Sequence, residues 1–121
     1  MPQRDLRHRT FQFACSILRL CRQLSATPGV HRQLGSQLVR SGTSVGANFE
    51  EARAAHSRRE FACKMSLVLR EARETHYWLR LIQANRLGPA EDVAALVAEA
   101  DELVAIFTTA VRRAKQPVDN F

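Results

Sequence analysis

Twelve acidic side chains, four histidines and three cysteines are the groups in this chain with the chemistry to hold a metal or build a nucleophile. Helices can assemble such groups. A carboxylate-bridged dimetal site takes one Glu from each of two helices and a Glu-x-x-His from each of two others. Here Glu51 and Glu71 are followed three residues later by Ala54 and Glu74, not by histidine. His76 comes five residues after Glu71, which turns it to another side of a helix. The stretch from Arg9 to Ala26 has no acid at all. His8, His31, His56 and His76 are isolated, in no zinc spacing and in no recognisable motif with a Ser or Cys nucleophile. Gly42 and Gly46 form a GxxxG that fits close helix packing, not a phosphate loop or a dinucleotide fingerprint. No metal, no cofactor and no enzymatic activity are expected.

Cys15, Cys21 and Cys63 form no CxxC pair. Cys15 and Cys63 fall among apolar positions, so small buried thiols are predicted. Met1-Pro2-Gln3-Arg4-Asp5 is not followed by the apolar run of a signal peptide, and no stretch approaches a membrane span in length. A reducing, cytoplasmic setting without a membrane is the expectation.

A second set of polar residues lies close to apolar stripes. On a helical wheel of about 100° per residue, Lys64, Glu71 and Trp78 fall within roughly 40° of one another, beside the stripe that contains Phe61. Ser41, Ser44, Asn48 and Glu51 likewise flank Leu38, Val45 and Ala52. Charges so near a core need partners, because desolvating them singly is costly. Ser41, Asn48, Glu51, Lys64 and Glu71 are therefore predicted to form a structural polar network or a subunit-interface network. The wheel does not name the pairs.

The basic residues offer different chemistry. The formal charge is +6, and sixteen of the eighteen cations are Arg. Arg's planar fork suits carboxylate and phosphate. Residues 1–49 hold seven Arg against one Asp, whereas residues 87–121 hold three cations against six acids. Such asymmetry fits anion binding or head-to-tail pairing of subunits. Arg19, Arg22, Arg58, Arg59, Arg70 and Arg73 are the candidates for contact with RNA or DNA, with Arg4, Arg7, Arg9 and Arg80 contributing charge. Tyr77 and Trp78 are adjacent and face different directions, so no stacking pair is visible and Trp78 is assigned to packing.

The elements that carry these residues all read as helices. Phe13, Ile17, Leu20 and Leu24 stripe a segment from about 9 to 26. Thr27-Pro28 then resembles an N-cap with proline at the first helical position. A second helix is predicted over 28–55. Its middle, Arg40-Ser41-Gly42-Thr43-Ser44-Val45-Gly46-Ala47-Asn48, is weak in helix propensity. The apolar period on both sides carries the helix through it, and its small side chains would let another helix come close. Ser57-Arg58-Arg59-Glu60 is a capping box, in which the Ser57 oxygen accepts from the Glu60 amide and Glu60 reaches back to the Ser57 amide. A third helix follows over 58–87, with Phe61, Met65, Val68, Ala72, Thr75, Leu79 and Ile82 alternating steps of four and three, and Gly88-Pro89 ends it. The fourth spans 89–113, leaving a frayed tail over 114–121. One domain over 1–121 is predicted, all-α, an antiparallel up-down-up-down four-helix bundle.

The middle of the chain resembles a known family. RSGTSVGAN at 40–48, EA at 51–52, SRREF at 57–61, Lys64 and EARETHYWLRL at 71–81 are similar to the four helix bundle protein family, also called the 23S rRNA-intervening-sequence protein or S23 family. The opening DLRHRTFQFA resembles the family's usual start, so the likeness covers most of the chain. Arg70 stands where Lys is more usual, and the charge is kept. The resemblance implies small bacterial bundles that assemble as homopentamers, some encoded within intervening sequences of 23S rRNA genes. It extends to the accessory protein of diversity-generating retroelements, which binds a reverse transcriptase and has a basic, nucleic-acid-binding surface. The expectation is a non-enzymatic, oligomeric accessory protein that binds nucleic acid or ribonucleoprotein. The alternative is a structural or protein–protein interaction module without a nucleic-acid role.

Overall fold

The structure, a computed structural model, describes residues 3–117 and the side chains of 6–117. It contains four helices: α1 (Gln3–Ser25), α2 (Val30–Arg53), α3 (Arg58–Ala84) and α4 (Ala90–Ala114). They pack in chain order, α1 on α2, α2 on α3 and α3 on α4, while α1 and α4 touch only lightly. The result is an all-α, up-down-up-down bundle. α1 stands diagonal to α3, and α2 to α4, with no close backbone approach across either diagonal. Side chains fill the space between. Phe49 of α2 meets Phe107 of α4 with ring centroids 5.7 Å apart. Ile17, Leu38, Val45, Val68, Leu79, Ile82 and Leu103 are fully buried along the same core.

α1 begins at Gln3, a turn and a half before the expected position 9. Leu6 and Thr10 are buried and extend the stripe of Phe13 and Ile17 in steps of four, three and four, so packing holds the added turns. Arg4 and the tail residues 118–121 lie outside the described side chains.

α2 runs unbroken through 40–48. A Cβ added at Gly42 would stand 2.9 Å from Ile17 Cγ1 and Cγ2, and one at Gly46 would stand 3.4 Å from the Thr10 carbonyl oxygen. The weak helix formers are what lets α1 lie against α2. Their polar groups return to their own helix: Thr43 Oγ1 donates to the Val39 carbonyl (2.7 Å), Ser44 Oγ to that of Arg40 (2.6 Å) and Asn48 Nδ2 to that of Ser44 (2.9 Å).

The turns depart from expectation in three places. Gly29, not Thr27, caps α2, and it does so without a side-chain hydrogen bond. Its φ of 87° closes the tight α1–α2 turn, which Thr27 and Pro28 do not adopt. At the start of α3 the Ser57 oxygen accepts from the Glu60 amide (3.0 Å), but the Glu60 carboxylate accepts from the His56 amide (3.4 Å), one residue earlier than in a simple capping box. α3 stops at Ala84, before the expected 87. Arg86 adopts a φ of 57°, and the amides of Arg86 and Leu87 donate to the carbonyls of Gln83 (3.1 Å) and Ile82 (3.0 Å). This double closure usually employs Gly at the left-handed position, so Arg86 gave no sequence signal. Cys63, expected inside, is exposed, because the inward stripe of Phe61, Met65 and Val68 places it on the opposite side of α3. No helix of the described residues is long and apolar enough to cross a membrane.

Candidate nucleic-acid interface

The heptad-like stripe that buries one side of α3 organises its outer side as well. Positions 59, 63, 70, 73, 77 and 80 recur in steps of three, four or seven and lie opposite Met65, Val68, Ala72 and Leu79. Arg59, Cys63, Arg70, Arg73, Tyr77 and Arg80 are all exposed there. The acids of α3 lie elsewhere. Glu60 turns back to the helix start, and Glu71 and Glu74 sit on the flank that meets α2. Among the described residues, Arg59, Arg70, Arg73 and Arg80 make no ion pair. The guanidinium carbon of Arg80 stands over the Tyr77 ring, 5.8 Å from its centroid. Tyr77 meets Trp78 edge to face at 5.4 Å, and Trp78 is held by its Nε1–H donating to Glu74 Oε2 (3.0 Å).

The N-terminal cations are placed differently. Arg7 Nε donates to Glu50 Oε2 (2.8 Å) across the α1–α2 seam. Arg9 binds Glu99 through Nε and Nη2 (3.0 and 2.6 Å) and reaches Glu102 (3.3 Å). The hydrogen bond to Glu99 is the main reason that the Arg9 pKa is raised above its usual value. The basic start and the acidic end of the chain therefore meet within one bundle, between α1 and α4. Beside that bridge the lightly packed α1–α4 seam opens into a groove of about 410 Å³ with Phe13, Leu20 and Leu96 among its lining residues.

Two comparisons place this geometry. The family model of the 23S rRNA-intervening sequence protein matches residues 3–109. The chain belongs to that family. A solved structure of a protein of unknown function from the S23 ribosomal protein family of Bacteroides thetaiotaomicron is similar, with 30% identity and a TM-score of 0.78. The match covers 88% of this chain and 97% of that one. No curated protein matches the sequence.

In this member of the 23S rRNA-intervening sequence protein family, the six basic candidates do not share one surface. Arg59, Arg70 and Arg73 lie together on α3. Arg58 turns toward α4, where Nη2 donates to the carbonyls of Arg113 (3.3 Å) and Gln116 (2.9 Å) and caps that helix. Arg19 lies on α1 beside the α1–α4 groove, with Nη2 donating to Ser16 Oγ (2.9 Å). Arg22 is exposed on α1, the helix diagonal to α3. Arg80 and Tyr77 complete the α3 group. The recurrence of 70, 73, 77 and 80 was the available signal for both.

The polar candidates likewise divide. Glu71 is buried and faces Arg40, whose Nη1 lies 3.5 Å from Oε1. Arg40 also binds Glu74 and reaches Gln37 Oε1 (3.5 Å). Lys64 and Glu51 form no hydrogen bond or ion pair among the described residues, and Glu51 is exposed. Asn48 bonds only within α2, and the buried Ser41 hydroxyl has no partner among the described residues. The network is thus centred on Arg40, not on Lys64. His76 Nε2 stands 3.8 Å from Asp101. Among the described residues no three His, Cys, Asp or Glu side chains gather as metal ligands.

Proposed function

We propose that this chain is a non-enzymatic accessory protein that holds RNA or DNA by its phosphates on the outer face of α3. The observation that carries the reading is the run of Arg59, Arg70, Arg73 and Arg80 along one exposed side, without a carboxylate partner among the described residues. At 1.5 Å per residue the run extends about 31 Å, enough to follow several phosphates. Elsewhere on the bundle Arg7, Arg9 and Arg40 are neutralised by Glu50, by Glu99 and by Glu71 with Glu74. Self-association, as a pentamer by family resemblance, would raise the formal charge of the assembly to about +30 and strengthen the attraction.

A protein-interaction module is the second reading. Phe11 and Leu18 support it, being 64% and 42% exposed one above the other on α1. Another copy would cover them, or a partner such as the reverse transcriptase that the retroelement resemblance implies.

Fluorescence anisotropy with structured RNA, single-stranded DNA and duplex DNA across a salt series separates the two readings. Four phosphate contacts on a single strand predict a log–log salt slope of about −3. Absence of binding at low salt by the intact protein would transfer the assignment to the interaction module.

A further inference from the structure

Tyr77 differs from the other aromatic residues of α3 by standing outside the core. It is 49% exposed, near the C-terminal end of the basic run, four residues after Arg73 and three before Arg80. Trp78 touches it edge-on, and Arg80 covers one side of its ring. A surface tyrosine with a guanidinium over the ring and cations on both sides combines the two parts of a single-strand site. The aromatic face takes a base, and the guanidinium groups take the flanking phosphates. A duplex offers the phosphates but keeps its bases stacked inside. We infer that Tyr77 stacks an unpaired base, so the α3 face takes single-stranded nucleic acid in preference to duplex. This inference rests on the phosphate-binding reading of the same face.

Trp78 is the single tryptophan of the chain and lies 5.4 Å from the Tyr77 ring, so it reports on what arrives there. The test titrates the intact protein with oligo-dT, with an abasic strand of the same length and with a duplex of that length. Anisotropy and tryptophan emission are followed together. The inference expects oligo-dT to bind more tightly than either competitor and to change Trp78 emission. It expects Tyr77→Ala to weaken oligo-dT binding by about 5- to 150-fold, the range for loss of one stacked base. Tyr77→Phe should keep the affinity, and the abasic strand should not distinguish Tyr77→Ala from the parent. If Tyr77→Ala weakens both strands equally, or neither, while binding stays salt-dependent, stacking is overturned and the phosphate reading survives. If no probe binds at low salt, both fall.

Discussion

Glu71, in the middle of α3, points its carboxylate at Arg40 of α2 across 3.5 Å, and only 11% of its side chain is exposed. Arg40 is half exposed and also holds Glu74, which in turn receives the Trp78 indole N–H. One arginine thus closes the α2–α3 seam. The packing of Trp78 beside Tyr77 depends on the same carboxylate.

Removing either partner should therefore destabilise the bundle. Glu71→Ala is expected to cost more than about 1 kcal/mol in urea or thermal unfolding. Arg40→Ala should cost at least as much, because it leaves a buried carboxylate uncompensated. In a double-mutant cycle the pair should cost less than the two single changes together, whereas Glu71 with Lys64 should be additive. Additivity for Arg40 with Glu71 would remove the pairing from the account.

The close contact of α1 and α2 predicts opposite results for two glycines of one helix. Gly42→Ala drives a methyl to 2.9 Å from Ile17, which is fully buried. Overpacking of this kind costs about 1–3 kcal/mol and outweighs a helix-propensity gain of up to about 1 kcal/mol. Gly35→Ala meets no atom nearer than 3.4 Å, so it keeps the gain. Melting temperatures should fall for the first variant and hold or rise for the second. Equal shifts would contradict the close packing.

The thiols should separate by environment. Burial pushes the Cys21 pKa up to about 11, from an ordinary 9.0. The folded state keeps that proton over a range in which the unfolded chain loses it. The stabilisation is complete below pH 9 and is lost as pH rises toward 11. Cys21→Ala should flatten the fall in stability across that window. Under native conditions near pH 8, a thiol reagent should modify the exposed Cys63 first and Cys21 only on unfolding. Rapid native labelling of Cys21 would contradict its burial.

The helices were legible because a single apolar period runs through each of them. Phe61 to Ile82 places one side of α3 inward, and the packing of α3 follows. Continuity of α2 through Gly42 and Gly46 was legible too, because the stripe resumes at Val45 and Phe49. Partners were less legible. A wheel puts Glu71 beside the core stripe but names no partner, so Arg40 went unnamed beside Lys64 and Glu51, and side-chain reach decides for it. Turn geometry was hidden for another reason. Arg86 takes a left-handed conformation that its residue type disfavours, so its type did not announce the helix end. The basic candidates were legible as charge but not as a surface. Arg19 and Arg22 belong to the helix diagonal to the one that carries Arg70 and Arg73.

That division lets charge reversal on the two helices be compared directly. Binding of a labelled single-stranded RNA at low salt should be compared for the parent, for a variant with Arg70→Glu, Arg73→Glu and Arg80→Glu, and for one with Arg19→Glu and Arg22→Glu. Circular dichroism melts should confirm that each remains folded. Reversal on α3 should weaken binding by about tenfold or more, while reversal on α1 should have the smaller effect. Parent-like affinity in the folded α3 variant, with loss in the α1 variant, would contradict the assignment to α3.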